Sequence, residues 1–333
     1  MKKYVLKGLI VALVIIAALS VYLLSKRPPV SAITYGVTFS APYARELGLH
    51  WKEVYRAMLD DMGVRHLRLA AYWPVIEPSK DKFNFEELDF QIAEAEKRGA
   101  DVVLAVGRRL PRWPECHVPG WAAALPWDEQ KKEIRELITA TVVRYKDRES
   151  ITLWQVENEP YLLVYGDEQC GALDEEFLIE EIALVKELDP SRQILVTDSG
   201  NLGLWHQAYR AGDAFGTSLY MYFWNQRVGP FKSKLPPAFY RIKYNLVRFI
   251  YGDKPAYIIE LSAEPWLVEP IVETPLETQF ERMDVEKFKE IISRASQTGF
   301  DRQYLWGVEW WYWLKENGTP SFWEYAEELF EER

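Results

Sequence analysis

Short apolar runs alternate with amphipathic stretches along most of the chain. Eight runs are rich in β-branched, aromatic and leucine residues, which is typical of buried strands. These runs cover residues 32–39, 65–72, 101–107, 151–157, 193–198, 214–220, 255–260 and 303–309. Apolar residues at three- and four-residue spacing predict helices at 50–63, 85–99, 128–145, 174–189, 284–299 and 321–332. The helical pattern is weakest after the fifth and sixth runs. Strands that alternate with helices in this way predict a parallel (β/α)8 TIM barrel.

The N-terminus has the charge and apolar pattern of a membrane segment. Lysines precede an apolar stretch at residues 8–24, and a Lys-Arg pair follows it. The sequence therefore predicts an N-terminal transmembrane helix, with residues 1–30 as anchor or signal segment and 31–333 as the (β/α)8 domain. A cleaved signal peptide is the alternative. Both interpretations predict that residues 31–333 lie outside the cytoplasm, either anchored to the membrane or secreted.

Composition narrows the class of protein. The chain has 333 residues and a net charge of −10, which disfavours a nucleic-acid partner. It has two cysteines and four histidines, without the spacing of a known metal site. Glycine-rich phosphate loops are also absent from the sequence. We therefore expect no metal, no cofactor and a monomeric protein.

Acidic residues end two of the predicted strands. The fourth strand, in "ITLWQVENEP", ends in Glu157 and Glu159, and the seventh, in "PAYIIE", ends in Glu260. Strand ends form the active-site face of such barrels. Two partly desolvated carboxyl groups there acquire different pKa values, so that one acts as an acid and the other as a nucleophile. Cleavage of a glycosidic bond needs such a pair. The alternative is two structural acids that pair with arginines or cap helices.

These strand ends resemble those of clan GH-A retaining glycoside hydrolases, which include families 5, 42 and 39. In that clan an Asn-Glu-Pro at the end of strand four carries the acid/base, and a Glu ending strand seven is the nucleophile. Asn158, Glu159 and Pro160 match the first motif, and Pro255 with Glu260 resembles the second.

The resemblance implies a retaining double-displacement hydrolase that acts on the O-glycosidic bonds of an oligosaccharide or polysaccharide. Glu159 would be the acid/base and Glu260 the nucleophile, with their carboxyl groups about 5–5.5 Å apart. A non-catalytic carbohydrate-binding barrel and a transglycosylase that uses the same residues are the alternatives.

The resemblance also implies substrate-binding residues. Asn158 would bond a sugar hydroxyl, Arg68 would contact the nucleophile, and Tyr220, with Tyr222 as its alternative, would bond it. Trp310 or Trp311 would form the floor of the sugar site. Two acids leave open questions: Glu264 is a second candidate nucleophile, and Glu157 would face the same way as Glu159 on a continued strand.

Two loops complete the predicted mouth of the barrel. The loop 108–122 is rich in Trp and Pro, and Trp113 and His117 are candidates for the wall of a sugar subsite. Cys116 in this loop and Cys170 after strand four lie in neighbouring loops, so they are predicted to form a disulfide, with free thiols as the alternative. The segment 225–241 after strand six is expected to shape the cleft.

Overall fold

The computed structural model describes residues 2–25, 32–162, 170–225 and 228–331. Ten strands are present in these ranges. They are β1 (Thr34–Thr38), β2 (His66–Ala70), β3 (Asp101–Val106), β4 (Ile151–Val156), β5 (Gln193–Asp198), β6 (Ala214–Leu219), β7 (Tyr222–Asn225), β8 (Gly229–Lys232), β9 (Ala256–Ser262) and β10 (Arg302–Trp306).

Eight of these strands close into a parallel barrel. Their order is β1-β10-β9-β6-β5-β4-β3-β2, and β1 pairs with β2 to close the ring. All eight coincide with the predicted apolar runs to within a few residues, so the predicted TIM barrel is confirmed. Because all eight strands are parallel, their C-terminal ends lie on one side of the barrel, which we call the barrel mouth.

Helices cover the outside of the barrel. They are α1 (Lys2–Ser25), α2 (Ala41–Glu46), α3 (Trp51–Asp60), α4 (Trp73–Ile76), α5 (Glu86–Lys97), α6 (Gly120–Ala123), α7 (Trp127–Tyr145), α8 (Glu175–Leu188), α9 (His206–Ala211), α10 (Pro237–Tyr251), α11 (Leu276–Arg282), α12 (Val285–Ser296), α13 (Val308–Glu316) and α14 (Ser321–Glu331). Six of them, α3, α5, α7, α8, α12 and α14, coincide with the predicted amphipathic stretches to within a few residues. A short 3-10 helix occupies Ile271–Glu273. Two of the predicted helices begin at an aspartate whose side chain accepts a backbone N–H, which satisfies a donor left open at the helix start.

Strand burial explains why the runs lack polar alternation. Every residue of β6 and β9 is buried, because one face packs inside the barrel and the other against helices. Inside the barrel, side chains from several strands pack together, including Val103, Leu153, Leu195 and Tyr304. The barrel centre is therefore filled, and ligands have room only at its mouth.

The segment after β6 differs from an ordinary barrel connection. An antiparallel hairpin of β7 and β8 precedes helix α10, and Phe223 pairs with Phe231 across it. The segment 225–241, predicted only to shape the cleft, contains the second strand of this hairpin and the start of α10. The weakly patterned stretches after the fifth and sixth strands both contain helices, α9 and α10.

The predicted transmembrane stretch, residues 8–24, lies within α1. Among the helices that the structure describes, none combines the length and apolarity needed to cross a membrane. The transmembrane helix and the membrane contact predicted from the sequence therefore find no support in the structure. The end of α1 contacts α10, where Arg241 and Asn245 donate hydrogen bonds to backbone oxygens of Ser25 and Leu24.

A glycine in β1 tests the tight packing of the barrel. A Cβ atom on Gly36 would lie 2.7 Å from the backbone oxygen of His66 and from the ring of Tyr304. We expect Gly36→Ala to lower the free energy of unfolding by about 1–3 kcal/mol, because neither neighbour is free to move. Urea unfolding followed by circular dichroism measures the change. Gly120→Ala is the matched control, since a Cβ there meets nothing within 4 Å. Equal urea midpoints for Gly36→Ala and Gly120→Ala would show that the barrel has room for a Cβ atom at position 36.

Candidate active site

Glu260 lies near the end of β9, and both of its carboxylate oxygens are bonded. Arg68, on β2, donates to Oε1 at 2.7 Å. The hydroxyl of Tyr220, directly after β6, donates to Oε2 at 3.0 Å. The structure therefore brings together three residues that the sequence placed at one site. These bonds orient the carboxylate and balance its negative charge.

Arg68 also connects Glu260 to the fourth strand. Its side chain is 0% exposed. Its Nε donates to Gln155 at 2.8 Å, and Nη2 donates to Oδ1 of Asn158 at 2.6 Å. Because Oδ1 of Asn158 accepts this bond, the orientation of the amide group is set and its nitrogen remains the donor. Such an amide can donate to a hydroxyl of a bound ligand.

Glu159 lies in a different environment from Glu260. Its backbone N–H donates to Oγ1 of Thr197 at 2.7 Å, and the Ser218 hydroxyl bonds its carboxyl group. Among the described residues, Oε1 of Glu159 has no hydrogen-bond partner although it is buried. Burial, followed by the nearby charges of Glu260 and Glu115, raises the pKa of Glu159 well above its usual value.

The two carboxyl groups are thus suited to opposite roles. Glu260 faces a guanidinium and a hydroxyl donor, which stabilise its negative form. Glu159 makes no ion pair within the part of the chain that the structure describes, and burial favours its protonated form. A pair in which one group is charged and the other is protonated is the arrangement for acid-assisted displacement at a carbon centre.

Glu157 does not face the same way as Glu159, contrary to the expectation from a continued strand. β4 ends at Val156, and both glutamates have positive φ, 55° and 43°, so the backbone turns there. Glu157 instead accepts from the backbone N–H groups of Arg108 and Arg109 at 2.7 and 2.5 Å. A Cβ on Gly107 would lie 2.2 Å from Oε1 of Glu157, so this bracing needs a glycine.

A second buried acid, Glu181 on α8, shares a hydrogen bond with Glu157. Burial and the charge of Glu157 raise the pKa of Glu181 well above its usual value. The neutral Glu181 carboxyl therefore donates to the Glu157 carboxylate. This pair stabilises the turn that precedes Glu159. It could not be predicted from the sequence, because Glu181 lies on an ordinary amphipathic helix.

The predicted sugar floor at Trp310 or Trp311 does not fit the structure. Both side chains are 0% exposed and lie on α13, which starts directly after the barrel strand. The ring N–H of Trp310 donates to Gln279, and that of Trp311 donates to the backbone oxygen of Ala263. Both rings are therefore packed in the core. Trp306, at the end of β10, is the tryptophan at the barrel mouth, and it donates to Glu264 at 2.5 Å.

The alternative assignments lie in other surroundings. Glu264 and Glu309 both pair with Arg112, which stacks on the rings of Tyr43 and Trp306. Glu264 is therefore neutralised by a different arginine from the one at Glu260. The hydroxyl of Tyr222 donates to Glu290 at 2.7 Å, away from Glu260.

The loop after β3 contributes a carboxylate that the sequence interpretation missed. Glu115 pairs with Arg109 at 2.9 Å, and its charge acts on both Glu159 and Glu260. Burial raises the pKa of Glu115. The adjacent Cys116 forms the predicted disulfide with Cys170, with Cα atoms 5.4 Å apart. The disulfide ties this loop to the segment that follows β4.

The two aromatic candidates of this loop differ in exposure. His117 packs on the ring of Tyr72 at 4.6 Å and contacts the backbone oxygen of Arg112, and burial lowers its pKa. The Trp113 side chain is 66% exposed. Whether either one lines a sugar subsite stays a prediction.

Glu77, Asp81 and Glu133 form a group of carboxylates with metal-like spacing within the described ranges. The two buried members already have protein partners. Glu77 accepts from Trp73 and from the backbone of Asp81, and Lys80 pairs with Glu133. These contacts account for the two buried carboxylates within the protein itself.

Known proteins share parts of this arrangement. Residues 46–124 match the family model of glycoside hydrolase family 42, described as beta-galactosidase. No curated protein sequence matches the chain.

Solved structures share the barrel over most of the chain. A GH5_18 protein from Bifidobacterium longum subsp. infantis has a TM-score of 0.60 at 14% identity, covering 82% of this chain and 69% of that one. A β-galactosidase from Halorubrum lacusprofundi has a TM-score of 0.53 at 15% identity, and the match covers 82% of this chain and 52% of that one. A family 10 endo-β-1,4-xylanase from Gloeophyllum trabeum has a TM-score of 0.52 at 16% identity, and the match covers 83% of this chain and 84% of that one.

The chain resembles clan GH-A glycoside hydrolases. The similarity to solved structures establishes the barrel fold, and the family match adds a glycosidase sequence pattern over β2, β3 and the helices beside them. The chain spans about half the length of the haloarchaeal β-galactosidase. The sequence-based resemblance to this clan is thus confirmed.

The buried carboxyl pair generates a prediction about stability and pH. Folding raises the pKa of Glu181, so the folded chain retains this proton more strongly than the unfolded chain. The contribution of this pair to the free energy of unfolding is then fully present below the ordinary glutamate pKa of 4.5 and is lost as the pH rises through the raised value. We expect Glu181→Gln to flatten this fall, because an amide donates to Glu157 at every pH.

Urea midpoints at pH 5 and pH 9 measure the effect. The control is Glu180→Gln, an exposed neighbour on the same helix. The wild type and the control should lose more stability between the two pH values than Glu181→Gln does. If all three chains lose the same stability between pH 5 and pH 9, Glu181 does not share a proton with Glu157.

Proposed function

We propose that the chain is a retaining glycoside hydrolase that cleaves O-glycosidic bonds, with Glu260 as nucleophile and Glu159 as acid/base. The observation that carries the proposal is the contrast between the two carboxyl groups. Arg68 and Tyr220 bond Glu260, whereas buried Glu159 keeps an oxygen without a partner among the described residues. The family match and the shared barrel fold support the same class of reaction.

In the first step, Glu260 would attack the carbon that carries the leaving group. Arg68 and Tyr220 hold the attacking carboxylate in place and reduce the entropy lost in reaching the reactive geometry. Protonated Glu159 would transfer its proton to the leaving oxygen as the bond breaks. The proton passes to the alcohol product, and a covalent glycosyl ester forms on Glu260.

In the second step, Glu159 would act as a base. It is then a carboxylate and accepts a proton from a water molecule that attacks the glycosyl ester. Glu260 leaves as a carboxylate, again stabilised by Arg68 and Tyr220. The amide of Asn158, oriented by its bond from Arg68, would donate to the hydroxyl beside the reacting carbon. Both protonation states of Glu159 are used once in each cycle.

Two other functions use the same residues. A transglycosylase differs only in the acceptor, which would be a sugar hydroxyl in place of water. A carbohydrate-binding barrel without turnover is less consistent with the raised pKa of Glu159, because binding alone does not need a protonated acid opposite a carboxylate.

We further propose that residues 31–333 act outside the cytoplasm on an oligosaccharide or polysaccharide. The disulfide between Cys116 and Cys170 supports this location, because disulfides persist in oxidising compartments.

Hydrolysis of activated aryl glycosides tests the proposal. The purified chain is assayed on 4-nitrophenyl glycosides of gluco, galacto, manno, xylo and arabino configuration, in both anomeric forms. We expect turnover of at least one sugar, and a loss of about 10⁴- to 10⁶-fold in kcat for Glu260→Gln, which lacks the attacking charge. Glu269→Gln, an exposed acid in the following loop, is the control and should retain activity.

Full activity of Glu260→Gln would remove this residue as nucleophile and direct attention to Glu264. Absence of turnover on every glycoside, together with binding, would favour the carbohydrate-binding barrel. Product analysis in the presence of a second sugar separates hydrolysis from transglycosylation.

The role of Glu159 predicts a dependence on the leaving group. We expect Glu159→Gln to lose about 10²- to 10⁴-fold in the glycosylation step with a poor leaving group such as methanol. The loss should be far smaller with 2,4-dinitrophenol, which departs without a proton. Pre-steady-state release of the leaving group measures this step. The activity of the wild type should fall as the pH rises through the pKa of Glu159, because the acid form is consumed.

Equal losses with both leaving groups would contradict an acid role for Glu159. Thr197→Val is a useful comparison, because it removes the acceptor of the Glu159 backbone N–H and a weak bond to Asn158 but leaves the Glu159 carboxyl group present.

A further inference from the structure

The hairpin after β6 carries an aromatic surface next to the candidate site. Phe223 and Phe231 pair across the hairpin, with ring centroids 5.2 Å apart and nearly parallel planes. Trp266, in the loop after β9, lies 5.7 Å from Phe223. We call these three rings the hairpin platform. The platform is not part of the barrel core, since Phe231 is 44% exposed.

The hairpin platform is continuous with the candidate catalytic residues. The ring of Tyr220 lies 5.6 Å from Trp266, edge to face, and 6.1 Å from Phe223. The hydroxyl of the same Tyr220 donates to Glu260. A chain of aromatic rings therefore leads from the proposed nucleophile outward to the exposed face of Phe231.

A cavity beside the platform suits a group of limited size. Its volume is about 180 Å³, and it lies between the hairpin and the segment that contains Trp266 and α11. Pockets that hold drug-sized ligands measure about 300–1,000 Å³, so this one suits a single ring. Glu281 and Arg282 add polar groups to its lining. Flat rings next to polar side chains complement a ring with apolar faces and hydroxyl-bearing edges.

The barrel order indicates which part of the substrate lies here. β5 and β6 lie between β4, which precedes Glu159, and β9, which carries Glu260. Glu159 is held from this side, through Thr197 on β5 and Ser218 on β6. The hairpin follows β6 and Trp266 follows β9. Arg112, in the loop after β3, forms a separate ion-paired cluster with Glu264 and Glu309, and Ser40 after β1 also donates to Glu309.

We propose that the hairpin platform is the subsite for the leaving group, and that it binds the sugar or aromatic ring attached through the oxygen that Glu159 protonates. The proposal rests on the proposed function, since the leaving group is defined by that reaction. The enzyme would then select its substrate partly by the ring beyond the bond that it cleaves.

Paired substrates with and without a ring test the subsite. For each sugar of the panel, kcat/KM is measured on the 4-nitrophenyl glycoside and on the glycosyl fluoride, whose leaving group is a single atom. We expect Trp266→Ala and Phe231→Ala to lower kcat/KM for the nitrophenyl substrate by about 10- to 100-fold, from the loss of stacking and apolar contact. The fluoride value should change less than about threefold, because no ring is lost from the subsite.

The glycosyl fluoride also distinguishes the loss of ring binding at the subsite from a displacement of Tyr220. Trp266 contacts Tyr220, so a displaced Tyr220 would slow both substrates equally and overturn the proposal. Phe249→Ala is the matched control, an aromatic residue on α10 whose side chain is 85% exposed. It should leave both values unchanged.

A binding measurement keeps the result independent of turnover. Saturation-transfer NMR on the Glu260→Gln chain is recorded with the same 4-nitrophenyl glycosides. We expect strong saturation of the nitrophenyl protons, weakened when Trp266→Ala or Phe231→Ala is added. If that pattern holds but no glycoside is cleaved by the wild type, the proposed function fails and the subsite stands. Equal saturation in all chains, or none in any, overturns the subsite even where hydrolysis is observed.

Discussion

A fully buried guanidinium connects the strands that carry the candidate site. Arg68 donates from β2 to Gln155 on β4, to Asn158 just beyond it, and to Glu260 on β9. A buried cation is costly unless its partners are all in place, and removal of one partner from a buried pair typically costs about 3–5 kcal/mol. Barrel closure and site geometry are therefore coupled, because the three strands must reach correct register before this charge is compensated.

The same interaction produces the asymmetry between the two acids. Arg68 bonds Glu260 and the amides around it, and among the described residues no cation forms an ion pair with Glu159. Burial and the negative charges of Glu260 and Glu115 then keep a proton on Glu159. Positive φ at Glu157 and Glu159 is uncommon for residues with side chains, and such conformations persist only where neighbours hold them. Here the backbone groups of Arg108 and Arg109 and the hydroxyl of Thr197 provide that support.

The sequence predicts the barrel and the centre of its mouth well, because both depend on local patterns. Apolar runs mark all eight strands, and the resemblance to a known clan adds Arg68 and Tyr220 as neighbours of Glu260, which the structure places in contact. Sequence reasoning fails where a turn of the backbone determines the direction of a side chain. The string "WGVEWWYW" does not show that Gly307, with φ of 126°, starts a helix, so Trp310 and Trp311 enter the core and Trp306 remains at the mouth. Glu157 is redirected by a similar turn.

The features that sequence reasoning could not reach lie in the long loops, where position depends on contacts distant in sequence. Glu115 has no strand or motif to place it. Arg109 and the disulfide at Cys116 bring it near both acids. The hairpin of β7 and β8 could not be predicted either, since each of its strands has only four residues and "GPFK" contains Gly and Pro. Because the barrel core fixes the reaction centre and the loops differ between barrels of one clan, the contacts of these loops are where substrate choice has to be determined.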